Sequence, residues 1–212
     1  SDRGQAGLVI AGAVVVALVA FEFALFGRRP AAALQSLGFG RPAAAGVLAA
    51  LGVSLLLVAV IPVHAAVRGA PLALHPGWVW LLPGLFAQAG IAEEALFRGF
   101  LFGRLRQGRS FWRAAVLAAG PFAAVHLFLF ATMPWPVALA AVLLSVVLSF
   151  PLAHLFELGG NTVWAPALLH FAVQGAIKAL EVPGDAALPL VWMAAAAVLP
   201  FAVFLVRRRK VR

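Results

Sequence analysis

Residues 81–103 read LLPGLFAQAGIAEEALFRGFLFG, and two adjacent carboxylates, Glu93 and Glu94, stand inside that apolar run. A carboxylate within a membrane is costly and is rarely kept without a structural or chemical task. Two further apolar runs each carry one deeply placed histidine, His126 in AAGPFAAVHLFLF and His170 in NTVWAPALLHFAVQ. A Glu pair and two histidines, each on its own helix, form the pattern of a reaction centre inside a membrane protein.

The composition agrees with a lipid solvent. Of 212 residues, 64% are hydrophobic, and mean hydropathy is +1.04. Soluble domains are about half apolar, and one aqueous core cannot hide this excess. No long polar segment offers a separate soluble domain, so residues 1–212 read as a single membrane-embedded domain. Net charge is +9, from 16 Lys and Arg against 7 Asp and Glu. The basic residues sit between and after the apolar runs, with no basic stretch interleaved with aromatics, which excludes a nucleic-acid groove. Topology and anionic lipid account for them better. The chain has no cysteine, hence no disulfide and no thiol chemistry.

Seven apolar runs can be placed, at roughly 6–26, 43–66, 77–103, 114–132, 135–153, 162–179 and 186–206. A spanning helix needs about 20 residues. The expected fold is all-α, a polytopic transmembrane helix bundle of about seven spans. The first run lacks a small-residue cleavage site and reads as a helix rather than a signal peptide. Pro83 and Gly84 are expected to kink the third run, Pro62 to make the end of the second irregular, and Pro134 and Pro136 to form a tight turn. Arg28, Arg29 and Arg41, then Arg104, Arg106, Arg109 and Arg113, then the tail Arg207, Arg208, Arg209, Lys210 and Arg212, fall on one side of a seven-span chain. The positive-inside rule then places the N-terminus outside and the C-terminus in the cytoplasm. Glu93, His126 and His170 come together in the cytoplasmic half of the membrane.

Helical spacing separates the two carboxylates. Successive residues rotate by about 100°, so Glu93 and Glu94 are expected to point apart. Glu94 and Arg98 stack four residues apart as an internal ion pair. Glu93 lacks such a cation and is the better candidate for a reacting group. Phe122 precedes His126 by four residues and packs beside it, and Gln174 follows His170 by four on its face. The remaining histidines, His64, His75 and His154, read as interfacial or solvated. Glu22 lies inside the first run without an assigned partner.

Three chemistries can use Glu93, His126 and His170. The first is metal-assisted hydrolysis, with these three as ligands of a divalent ion such as zinc. HExxH is absent, so this is not a zincin-type site. The second is metal-free hydrolysis, in which Glu93 and His126 deprotonate a water while His170 and Gln174 stabilise the oxyanion. The third is ion translocation, which needs polar residues spread along a path, whereas here they converge at one depth. Ser54, Ser145 and Ser149 are scattered and read as helix-packing residues, so no serine nucleophile is indicated.

Three separated motifs resemble those of the type II CAAX prenyl endopeptidase and bacteriocin-processing group of intramembrane proteases. EExxxR is matched by Glu93, Glu94 and Arg98. FxxxH is matched by Phe122 and His126. The third motif, HxxxN or HxxxD, is matched by His170 with Gln174 in place of Asn or Asp. The match runs from about Leu82 to Gln174. The resemblance implies a multi-helix membrane endopeptidase. In it Glu93 and His126 activate water, Glu94 supports the site, Arg98 holds Glu94 or the substrate terminus, and His170 with its partner stabilises the oxyanion. It leaves both the metal-dependent and the metal-free route open. It also implies a membrane-associated peptide or protein substrate, reached through a lateral opening or a cytoplasmic funnel, and the short, Ala-rich chain reads as bacterial, which makes the expected membrane a bacterial cytoplasmic one. The rival reading is a non-catalytic immunity or interaction protein on the same scaffold, for which the Gln174 departure is the best support.

Overall fold

The structure is a computed structural model, and it describes residues 2–206. The tail from Arg207 to Arg212, which the orientation reading used, lies outside the described residues. Long stretches of Ala, Leu and Val form helices throughout: α1 (Asp2–Phe26), α2 (Pro30–Ser36), α3 (Ala44–Arg68), α4 (Trp78–Leu85), α5 (Gly103–Leu105), α6 (Phe111–His126), α7 (Trp135–Leu158), α8 (Trp164–Ala179) and α9 (Leu188–Val198). Between α4 and α5 the chain stays helical but winds as a π-helix over Phe86–Glu93 and Ala95–Phe102. Short 3₁₀ turns, Leu127–Ala131 and Leu199–Leu205, extend α6 and α9. Ser110 caps α6 by accepting from the Arg113 N–H.

The proline expectations divide. Pro134 and Pro136 open α7 after a short turn, as read from the sequence. Pro62 does not disturb the end of α3, which runs on to Arg68 and stops where Gly69 adopts a left-handed φ of 61°. A proline removes one helical hydrogen bond, but in an apolar surround the neighbouring turns have no better partner than one another. Pro83 sits inside α4, and the winding changes three residues later, at Phe86.

Among the described residues five helical runs are long and apolar enough to cross a membrane: Gly4–Phe26, Ala44–Arg68, Phe111–Ala131, Trp135–Leu158 and Leu188–Leu205. The chain is an integral membrane protein of the all-α bundle type. The other two apolar runs differ from these five. One is α4 with its π-helical continuation. The other is α8, only sixteen residues long, ten of them buried. α8 packs on α3, α4, α7, α9 and the first π-helical segment, so the two elements that carry the Glu pair and His170 sit innermost.

Contacts at the two ends give each run its direction. At one end Glu22 meets Arg28 and Arg104, Arg106 meets Glu157, and the Val163 N–H donates to the Gly38 carbonyl. At the other end Asp185 meets His64 and Arg68. There β1 (Ala73–Leu74) also pairs antiparallel with β2 (Leu180–Glu181). Hence α1, α3, the α4–π run and α8 each pass from one end of the bundle to the other. Small residues let these runs approach closely. A Cβ on Gly84 would lie 2.2 Å from the Gly4 carbonyl oxygen, and one on Gly99 would lie 2.0 Å from that of Leu37. These two glycines lock the α4–π run against α1 and α2.

Candidate active site

The site is built on the π-helical run. Such winding closes i→i+5 hydrogen bonds and is found mostly as short bulges at functional sites. Here it covers both residues flanking Glu94. Gly90 keeps that run close to α8, since a Cβ there would come within 3.2 Å of the Ala167 carbonyl oxygen. Glu94 is wholly buried, and Arg98 donates to its Oε1 at 3.2 Å, as the four-residue spacing predicts. Arg98 is itself buried, and its guanidinium carbon lies over the Phe122 ring, 4.2 Å from its centre. The mutual attraction of Glu94 and Arg98 offsets part of the desolvation cost that each buried charge carries, and the aromatic face adds a cation–π attraction.

His170 completes a chain. Its Nδ1 lies 2.7 Å from Glu94 Oε1. An ionised carboxylate only accepts hydrogen bonds, so with Glu94 charged Nδ1 carries the proton and donates. The other ring nitrogen, Nε2, lies 3.8 Å from Glu93 Oε2, beyond hydrogen-bond range. Glu93 and Glu94 were expected to diverge. They do so only in part, and the wide helical winding brings one carboxylate to each nitrogen of the same imidazole. Glu93 is the more open of the two, with a quarter of its side chain exposed. Its Oε2 is buried and without a hydrogen-bond partner, as are Glu94 Oε2 and Arg98 Nη2. Orphaned buried polar atoms are rare in folded proteins, and three of them gather on this one motif.

His126 closes α6. Its Nδ1 lies 2.7 Å from the Phe122 carbonyl oxygen. A carbonyl only accepts, so Nδ1 bears the hydrogen and Nε2 keeps its lone pair. Phe122 is the piece that sequence reasoning undervalued. Its ring meets His126 edge-on at 4.9 Å, His170 at 5.9 Å and Phe97 at 4.8 Å, besides the Arg98 guanidinium. It joins the second motif to the first and third. The signal was present as the first residue of FxxxH, but only its packing on His126 was legible. Gln174 lies one turn beyond His170 on α8 and has a partner of its own. Its Oε1 accepts from Lys178 Nζ, one turn along α8.

The donor set for a metal can be tested on this geometry. Glu93, His126 and His170 would have to converge on one point. Among the described residues no three His, Asp or Glu side chains gather closely enough to share an ion. His170 Nδ1 and Glu94 Oε1 are already spent on each other. The residues as placed do not make a metal site.

The remaining polar residues fall outside the centre. His64 pairs with Asp185, the His75 Nδ1 accepts from the Gly77 N–H, and His154 lies against Phe204 and the Val206 carbonyl. Glu22 acquires two arginine partners, Arg28 and Arg104. A family model described as Rce1-like, type II CAAX prenyl endopeptidase Rce1-like, matches residues 75–176. Residues 75–176, just under half of the chain, are thus similar to this family. Every residue of the Rce1-like motifs, from Glu93 to Gln174, falls within the match. No curated protein and no solved structure matches the chain closely enough to add to this.

Proposed function

We propose that the chain is an intramembrane endopeptidase that hydrolyses a peptide bond of a membrane-associated substrate without a metal, with Glu93 as the general base. One observation carries this reading. Arg98, Glu94 and His170 form an ordered buried chain, and it ends beside a Glu93 oxygen that has no hydrogen-bond partner among the described residues. The match of residues 75–176 to the Rce1-like model supports protease chemistry.

The steps follow from the atoms present. Glu93 and the His126 Nε2 lone pair hold a water. Glu93 takes its proton as the water oxygen bonds to the scissile carbonyl carbon, and the carbonyl π pair moves onto oxygen. His170 donates to that oxyanion from a protonated Nε2, with Glu94 stabilising the imidazolium from the Nδ1 side. Lys178 occupies the Gln174 oxygen and leaves its NH₂ group available as a second donor. Collapse of the intermediate breaks the C–N bond, and Glu93 passes its proton to the leaving amine. Arg98 acts through Glu94 as a positioning residue.

We further read the α4–π run and α8 as the third and sixth of seven crossings, with the N-terminus outside and the site in the cytoplasmic half. The end-to-end course of these runs supports that count. The membrane is then a bacterial cytoplasmic membrane, and the substrate peptide reaches Glu93 from its inner side.

The test is cleavage of a membrane-tethered peptide library by purified protein in lipid, with the parent, Glu93→Gln and added chelator in parallel. The expected result is a loss of about 10²–10⁴-fold in kcat for Glu93→Gln, the usual worth of a general base, and indifference to chelator. Chelator inhibition reversed by one added metal would overturn the metal-free route. The hold of Lys178 on Gln174 favours a second reading, a non-catalytic immunity or interaction protein. Absence of cleavage by folded parent protein would support it.

A further inference from the structure

A second charged centre lies apart from the Glu93–His170 site. Glu22, on α1, is wholly buried and takes two guanidiniums, Arg28 from the turn after α1 and Arg104 from α5. Arg106 lies beyond them, its Nε donating to Glu157 at 2.6 Å. All three arginines line one partly open cavity of about 680 Å³, whose polar wall is completed by Gln35, Gln107 and Asn161. No carboxylate is among its lining residues. The two acids, Glu22 and Glu157, sit behind the guanidiniums and fix them.

The donor inventory is not exhausted. Each guanidinium has five N–H donors. The hydrogen bonds formed within the protein use one from Arg28, two from Arg104 and two from Arg106. The remaining donors come from two separate segments of chain and share a concave, partly apolar space with Phe26, Phe102 and Phe156. Planar forks converging from several directions suit a group with several acceptor oxygens. The cavity also lies where two candidate spans end, Gly4–Phe26 and Trp135–Leu158. That is the level of lipid headgroups.

We propose that this cavity is a binding site for a phosphate group, held by Arg28, Arg104 and Arg106, with the phenylalanines against whatever carries it. The headgroup of an anionic phospholipid and free phosphate share this chemistry. The site is independent of peptide hydrolysis, so binding is read on protein that need not turn over.

The experiment titrates the purified full chain in detergent with phosphatidylglycerol, phosphatidylcholine and inorganic phosphate, following bound lipid by native mass spectrometry and thermal stability together. Arg28 and Arg104 are poor targets, because removing either leaves Glu22 short of a buried partner. Gln35 and Gln107 are exposed on the cavity wall, so Gln35→Glu with Gln107→Glu places two anions there without touching the pairs behind. The control is Arg41→Gln with Arg109→Gln, which changes net charge equally and does not line the cavity. Phosphatidylglycerol is expected to bind and stabilise the parent and the control, and to bind about tenfold more weakly to the Gln35, Gln107 variant. If inorganic phosphate does not compete, the headgroup is the ligand. If it competes at millimolar concentration, the same site takes free phosphate. Equal weakening in both variants, or none in either, would mean diffuse surface attraction and would overturn the site.

Discussion

Arg98 and Glu93 lie five residues apart on one helix and play opposite parts. The Arg98 charge is buried with Glu94 and bonded to it. Removing one partner of a buried pair leaves the other uncompensated, at about 3–5 kcal/mol. Glu94→Ala and Arg98→Met are therefore expected to lower stability by that order, visible as a clear drop in melting temperature in lipid. Glu93→Gln removes no ion pair of comparable closeness, its nearest cation-capable contact being His170 Nε2 at 3.8 Å. Its melting temperature is expected to stay near the parent's while cleavage is lost. A Glu93→Gln protein that melts as low as Glu94→Ala would show a structural role instead. The pairing of Glu94 with Arg98 was legible from the EExxxR spacing, because a four-residue offset pairs only the second Glu with Arg98. The bond from Glu94 to His170 was not legible, since it joins residues 76 positions apart.

At the scale of elements, the π-helical run owes its position to glycine. A methyl on Gly99 would collide with the Leu37 backbone carbonyl, which cannot move without carrying the end of α2 with it. Overpacking of this kind costs about 1–3 kcal/mol, so Gly99→Ala is expected to lower the melting temperature and to disturb the helix one residue beyond Arg98. At Gly52, on the outer face of α3, a methyl would find no other atom within 4 Å. There alanine is expected to be neutral or to add up to about 1 kcal/mol, the helix-propensity difference. Equal melting temperatures for the two variants would contradict the close contact at Gly99. Hydropathy found both helices that carry these glycines. It could not show that one of them widens to a π-helix, because apolar content does not distinguish the two windings.

Over the whole molecule, a clamp opposite the arginine end ties the loop before α9 to the end of α3. Asp185 Oδ2 meets His64 Nε2 at 3.0 Å and Arg68 Nε at 3.4 Å, and Oδ1 accepts from the Ala187 and Leu188 N–H groups. Burial works against the charged form of Asp185, but the Ala187 N–H, His64 and the Leu188 N–H outweigh it and hold the carboxyl below the ordinary aspartate range. A carboxyl with a lowered folded-state pKa contributes stability above its unfolded value and loses it as pH falls through the folded value. The clamp is thus expected to be intact at neutral pH and to loosen only below about pH 4. Amide exchange over residues 183–188, followed from pH 7 to pH 3, reads this directly. Asp185→Asn is expected to abolish the acid-dependent step, and a step that persists in that variant would assign it to another group.

Sequence by itself determined that the protein is an α-helical membrane bundle, because 64% apolar residues leave lipid as the solvent. It also singled out Glu93, Glu94, His126 and His170 as candidates for chemistry, because they are conspicuous in apolar runs. Spacing along one helix was enough for Glu94 with Arg98. Only the tertiary structure decided which groups meet across helices. It set His170 between the two carboxylates, made Phe122 the shared wall, turned Gln174 toward Lys178, and gave Glu22 two arginines from separate segments. Helical periodicity fixes the direction of a side chain about its own axis. How far one helix is rotated and shifted against another depends on the packing of small residues such as Gly84, Gly90 and Gly99, and that information exists only once the chain is folded.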